Sequence, residues 1–153
     1  MITLEKGITR AGTGYAGKTW NILGQLYFPK AVTDSTFAFE TNSEPGQFVP
    51  VHVHPTQDEF ILVQEGVLDL KLDGVWVKAH AGDLVRMPRG IPHGYFNKSD
   101  KPARALFWVA PMPASPREVG AETRARLSSP MTRRADRRCD HPLGQVAPVT
   151  PDR

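Results

Sequence analysis

The sequence predicts an all-β domain, a sandwich or barrel, and three observations carry that prediction. Apolar residues recur with period two in several short runs, as in Val67–Leu72. Turn residues separate those runs at close spacing, above all Asp73-Gly74 and Ala81-Gly82-Asp83. Among residues 1–110, none of the runs is followed by the long amphipathic segment that a βαβ unit requires.

In chain order, Trp20–Phe28 and Thr36–Thr41 read as the first two strands, rich in aromatic and β-branched residues. Val49–His54 alternates. Phe60–Val63 is a short continuous apolar run, and Val67–Leu72 alternates again. Asp73-Gly74 then predicts a two-residue hairpin into Val75–Ala79. Leu84–Met87 follows the next turn, and Ala105–Ala110 closes the series.

The 153 residues suit one domain with a core of useful size. Their organisation is uneven. Residues 1–110 hold 11 basic and 11 acidic side chains and all the aromatic residues. Residues 111–153 hold 8 basic and 5 acidic side chains, no aromatic residue and no Lys, but 7 of the 14 prolines. The net charge of +3 therefore belongs to the tail. Such a segment buries too little surface to offset its ordering entropy, so it is expected to be disordered or a non-native end. Misread GC-rich coding sequence would yield the same Arg, Pro and Ala. One helix is predicted within it, from Ser115 as cap through about Leu127.

Several function classes are set aside. The lone Cys139 excludes an internal disulfide framework and a cysteine zinc finger. No apolar run approaches bilayer-spanning length, and Met1–Arg10 lacks a secretion-signal pattern, so a cytoplasmic protein with no membrane partner is expected. Gly12-Thr13-Gly14-Tyr15-Ala16-Gly17 fits the dinucleotide-loop spacing, but a strand pattern follows it where a helix is required. Arg133–Arg138 is basic, yet no aromatic residue or reading helix accompanies it, so no nucleic-acid partner is expected. No Ser-His-Asp or Cys-His nucleophile arrangement and no helix-turn-helix segment is visible.

Chemistry concentrates in the histidines. His52 and His54 are two apart on a predicted strand, which puts both imidazoles on one face. Glu59 follows Pro55-Thr56-Gln57-Asp58, where the chain can bend and return a carboxylate to that face. His93 follows Gly90-Ile91-Pro92. Three imidazoles and one carboxylate suit a single divalent transition metal: Fe, Mn, Ni, Co, Cu or Zn.

The glycines and prolines around these ligands add a second level of pattern. From Gly46 the spacing is Gly, five residues, His-x-His, four residues, Glu59, six residues, Gly66. From Gly82 it is Gly, five residues, Pro88-x-Gly90, two residues, His93, three residues, Asn97. These two blocks resemble both signature motifs of the cupin superfamily at ten spaced positions, and the short gap resembles small bacterial single-domain cupins. The resemblance implies an antiparallel jelly-roll barrel over residues 1–110, with His52, His54, Glu59 and His93 as metal ligands. Gly66 and Gly82 would sit at turns, Pro88-Arg89-Gly90 would aim His93, and Asn97 would be structural. Asp58, the nearest rival to Glu59, falls one residue off the alternation. His80 and His141 match nothing and are expected to be solvated.

Four protein ligands leave two positions open on an octahedral metal. Phe48 and Pro50 share strand parity with His52, so they are expected to face the interior. With Met87, Tyr95, Phe96 and Trp108 they would line a pocket for an apolar or aromatic small molecule. The metal site resembles that of quercetinase-like cupins, which implies a dioxygenase acting on an aromatic or diketone-like substrate, with Glu59 as a base. A metal-dependent lyase, isomerase or hydrolase, and a non-catalytic small-molecule binder, use the same residues. The resemblance also implies a homodimer, with Trp20–Phe28 as an edge for pairing.

Overall fold

The computed structural model describes residues 4–22 and 24–111. The tail helix from Ser115, the Arg133–Arg138 cluster, Cys139 and His141 lie outside the described residues. Among the described residues, ten strands form two antiparallel sheets. They are β1 (Trp20–Ile22), β2 (Gln25–Val32), β3 (Phe37–Ser43), β4 (Phe48–His52), β5 (Asp58–Glu65), β6 (Val67–Leu72), β7 (Val75–His80), β8 (Leu84–Met87), β9 (His93–Phe96) and β10 (Ala103–Ala110). One sheet has the order β1-β2-β3-β10-β5-β8, the other β4-β9-β6-β7. Strands distant in sequence lie side by side, as in a jelly roll.

The alternation reads through directly in β5 and β10. Glu59, Ile61 and Val63 point inward from β5, and Ala105, Phe107 and Val109 do so from β10. Their inner faces meet Leu68, Leu70 and Tyr95 of the smaller sheet in one buried cluster. Aromatic rings extend this core: Phe39 stacks on Phe107 at 5.0 Å, and Tyr27 and Phe37 pack on Phe39 at 5.0 and 5.1 Å. Asp73 and Gly74 both have positive φ, which is the backbone of the tight β6–β7 hairpin.

One expectation is corrected and one holds. Trp20–Phe28 is a hairpin, not one strand: Gly24, at φ +81°, belongs to the turn that folds β1 back on β2, pairing Trp20 with Tyr27. The Gly12–Gly17 segment is a turn ending in a three-residue 3₁₀ helix, Tyr15–Gly17, and a strand follows. No helix among the described residues is long and apolar enough to cross a membrane.

Candidate metal centre

The two sheets bring His52, His54, Glu59 and His93 together. One potential ligand atom from each residue lies within 4.8 Å of the others. His52 ends β4 and pairs directly with His93, which starts β9. His54 lies just beyond β4, and its carbonyl accepts the Gly90 N–H at 2.9 Å, tying the two motif loops together. Glu59 comes from the opposite sheet, on the inward parity of β5. Asp58, on the outward parity, forks with Arg89: its carboxylate accepts the Arg89 backbone N–H at 2.9 Å and the guanidinium at 2.7 and 3.2 Å. That pairing holds Asp58 down at about 2, with the Arg89 hydrogen bonds as the leading cause. It also fixes the turn that precedes His93.

The hydrogen bonds orient the rings. His52 Nδ1 lies 2.9 Å from the Pro50 carbonyl, and His93 Nδ1 lies 2.8 Å from the Ile91 carbonyl. A carbonyl only accepts, so both Nδ1 atoms carry hydrogen, and in that neutral tautomer each ring presents an Nε2 lone pair to the cluster. There His93 Nε2 meets Glu59 Oε2 at 3.1 Å, His54 Nε2 meets the same oxygen at 3.0 Å, and His52 Nε2 lies 3.2 Å from His54 Nε2. In that tautomer the His93 Nε2 lone pair faces the Glu59 carboxylate, an arrangement in a buried cluster that suits a cation between them. The donor set of three imidazole nitrogens and one carboxylate oxygen fits a borderline divalent metal.

Burial is the largest influence on His52 and lowers it to about 4, so the ring is neutral and able to coordinate at neutral pH. For Glu59 burial acts to raise the value, but the neighbouring His54 and His93 rings outweigh it and hold the carboxyl well below the usual carboxylate range. Glu59 is therefore ionised at neutral pH.

Beside the cluster lies a cavity of about 50 Å³, with Tyr27, Val49, Gln57 and Tyr95 in its wall. Its volume is smaller than that of a pocket for a whole drug-sized ligand. Of the six residues expected to line a pocket, Tyr95 does so. Phe48 is 47% exposed and stacks on Phe96 on the outer face, 5.5 Å between centroids. The reason is a register shift in β4. Val49 pairs with Tyr95 and His52 with His93, so β4 carries one extra residue in between and its parity flips. Val49 then points inward where Phe48 was expected. Pro50 sits at the bulge and is not among the cavity-lining residues. Phe96 faces outward beside Trp76, and Trp108 stacks on Phe60 on the outer face of the larger sheet. Met87 is buried opposite Glu59 in the β5–β8 pair, but it is core and not cavity wall.

Tyr27 was missed by the sequence reading, as was Gln25, buried behind the cavity. The inward alternation Gln25-x-Tyr27 could have shown both, had the turn been placed at Gly24. His80 is exposed, as expected. Asn97 is buried; its amide nitrogen donates to the Ser43 and Lys101 carbonyls at 2.7 and 2.8 Å and its oxygen accepts from Ser99.

The model of the Cupin_2 family, described as a cupin domain, matches residues 39–109. Residues 39–109 form a cupin domain. An RmlC-like cupin from Shewanella frigidimarina superposes with a TM-score of 0.63, over 74% of this chain and 97% of that one. At 18% identity that likeness speaks for the cupin fold alone. Polyketide synthase CurC from Streptomyces cyaneus is 32% identical over 81 residues, 53% of each chain, so this chain spans about half the length of that relative. Quercetin 2,3-dioxygenase from Bacillus subtilis is 41% identical over 56 residues, 37% of this chain and 17% of the enzyme. The cupin domain thus carries a His/Glu cluster that could hold a metal.

Proposed function

We propose that the domain holds one divalent transition metal through His52, His54, Glu59 and His93. In this reading it is a mononuclear dioxygenase acting on a small aromatic or diketone-like molecule. The observation that carries the reading is the convergence of lone pairs, with two of the rings locked by backbone carbonyls. The stretch of similarity to quercetin 2,3-dioxygenase supports the choice of chemistry. When bound, the metal supplies a Lewis acid and a meeting point for O₂ and the substrate oxygen. The chain's own residues do the rest. The histidines fix the geometry. The ionised Glu59 accepts a proton from the substrate hydroxyl, and the apolar wall of Val49, Phe37 and Phe39 excludes water. Cleaving a C–C bond with both oxygen atoms of O₂ ending in the two fragments needs no external reductant.

A second reading, a metal-assisted isomerase or cyclase of a polyketide that uses no O₂, is supported by the similarity to polyketide synthase CurC. Elemental analysis of purified and reconstituted protein tests the shared premise: about one metal per chain is expected, and no uptake overturns both readings. Oxygen consumption with catechols and 1,3-diketones then separates them, since turnover of substrate without O₂ uptake rejects the dioxygenase. We further propose a homodimer in which β1, at the edge of the larger sheet, pairs across the interface. A monomer mass by light scattering would refute it.

A further inference from the structure

The cavity beside the histidines is also bounded by two phenols whose protons can be traced. Gln25 is 1% exposed and spans from β2 to the other sheet. The Phe48 carbonyl can only accept, so the Gln25 atom 2.9 Å from it is the amide nitrogen. The Gln25 carbonyl oxygen is then left to face Tyr95, whose hydroxyl donates to it at 3.0 Å. A phenol has one proton, and that of Tyr95 is committed. The 3.2 Å contact between the two hydroxyls must therefore be Tyr27 donating to Tyr95. Tyr27 has no second proton to offer, so toward a ligand its oxygen presents lone pairs only.

The proton count holds at neutral pH, because burial, the largest cause for each, pushes Tyr27 up to about 12 and Tyr95 well above the ordinary tyrosine range. Tyr27, Tyr95 and Glu59 line the same cavity.

We propose that Tyr27 is a specificity-determining hydrogen-bond acceptor that selects ligands presenting a hydroxyl proton, such as a phenol or an enol, over the corresponding ethers. The inference rests on the reading above that this cavity receives the substrate. It does not need the metal: the polarity is set by the Phe48 carbonyl and passed along Gln25 and Tyr95 to Tyr27. Gln25 and Tyr95 act as positioning residues, because they decide where the Tyr27 proton goes.

The test is calorimetric binding of phenol and anisole to metal-loaded protein and to chelator-stripped protein. Both forms are expected to bind phenol more tightly than anisole, by roughly two- to tenfold, the range of one net hydrogen bond. In the stripped protein that preference cannot come from coordination. Tyr27→Phe removes the preference. Tyr95→Phe frees the Tyr27 proton, so anisole binds more tightly than it does to the parent protein, a gain that the extra methyl group cannot produce. A Tyr27→Phe protein that keeps the phenol preference overturns the proposal, as does a Tyr95→Phe protein with no gain for anisole, or an absence of phenol binding to both forms. Metal content measured on the same samples separates the two readings. No metal uptake with an intact phenol preference overturns the metal centre alone, and full uptake with no preference overturns the role of Tyr27 alone.

Discussion

Adjacent carboxylates in β5 have opposite fates. Glu59 turns into the barrel and meets two imidazoles, while Asp58 turns out and forks with Arg89. Glu59→Gln removes a charged donor and is expected to lose most of the bound metal, whereas Asp58→Asn keeps an acceptor for Arg89 and is expected to retain it. Elemental analysis of both variants checks this. His52→Ala and His93→Ala are each expected to reduce metal content sharply by the same measurement; full occupancy in both would mean that the ligand set is wrong. His52 also imposes a pH dependence on the metal-free protein. Its value falls from 6.5 to about 4 on folding, chiefly through burial. Between those limits the unfolded chain holds a proton that the folded chain refuses, so the stability present above pH 6.5 is lost as the pH falls toward 4. Thermal melts of chelator-treated protein are expected to shift downward across that window, and less steeply in His52→Ala.

The bulge in β4 is the element on which the site turns. It lies against Gly94 so closely that an added Cβ would sit 2.8 Å from the Val49 carbonyl oxygen and 3.0 Å from the Val51 nitrogen. Gly94→Ala must push this backbone away and is expected to cost about 1–3 kcal/mol. Because His93 is next in sequence and His52 is its pair, metal affinity is expected to fall as well. Denaturant unfolding and a metal titration measure the two effects. The same bulge explains what could be read from the sequence. β6 and β8 match the bounds that alternation gives, and the four clustered side chains follow from their spacing to the turns. Alternation says that neighbours take opposite faces, but not which face is inside. Trp108 and Phe107 are both apolar, and their partners decide: Phe107 meets Phe39 in the core while Trp108 meets Phe60 outside. Phe48 was misplaced because an inserted residue leaves no mark in an apolar run. Tyr27 escaped because its role comes from Gln25 and Tyr95, and the latter is 68 residues away.

At the scale of the molecule, residues 1–110 are balanced in charge and the basic excess lies beyond them, so the barrel itself offers no net attraction to a polyanion. What distinguishes it is the origin of the clustered side chains. His52 and His93 belong to the four-stranded sheet and Glu59 to the six-stranded one. An ion held by all of them would be a cross-link between the two halves of the barrel, and its release is expected to be limited by the parting of those halves. Stripping kinetics are expected to reach a plateau as chelator concentration rises, with the plateau rate matching hydrogen exchange in β5 and β9. A rate that keeps climbing with chelator would show that the ion has a direct path out.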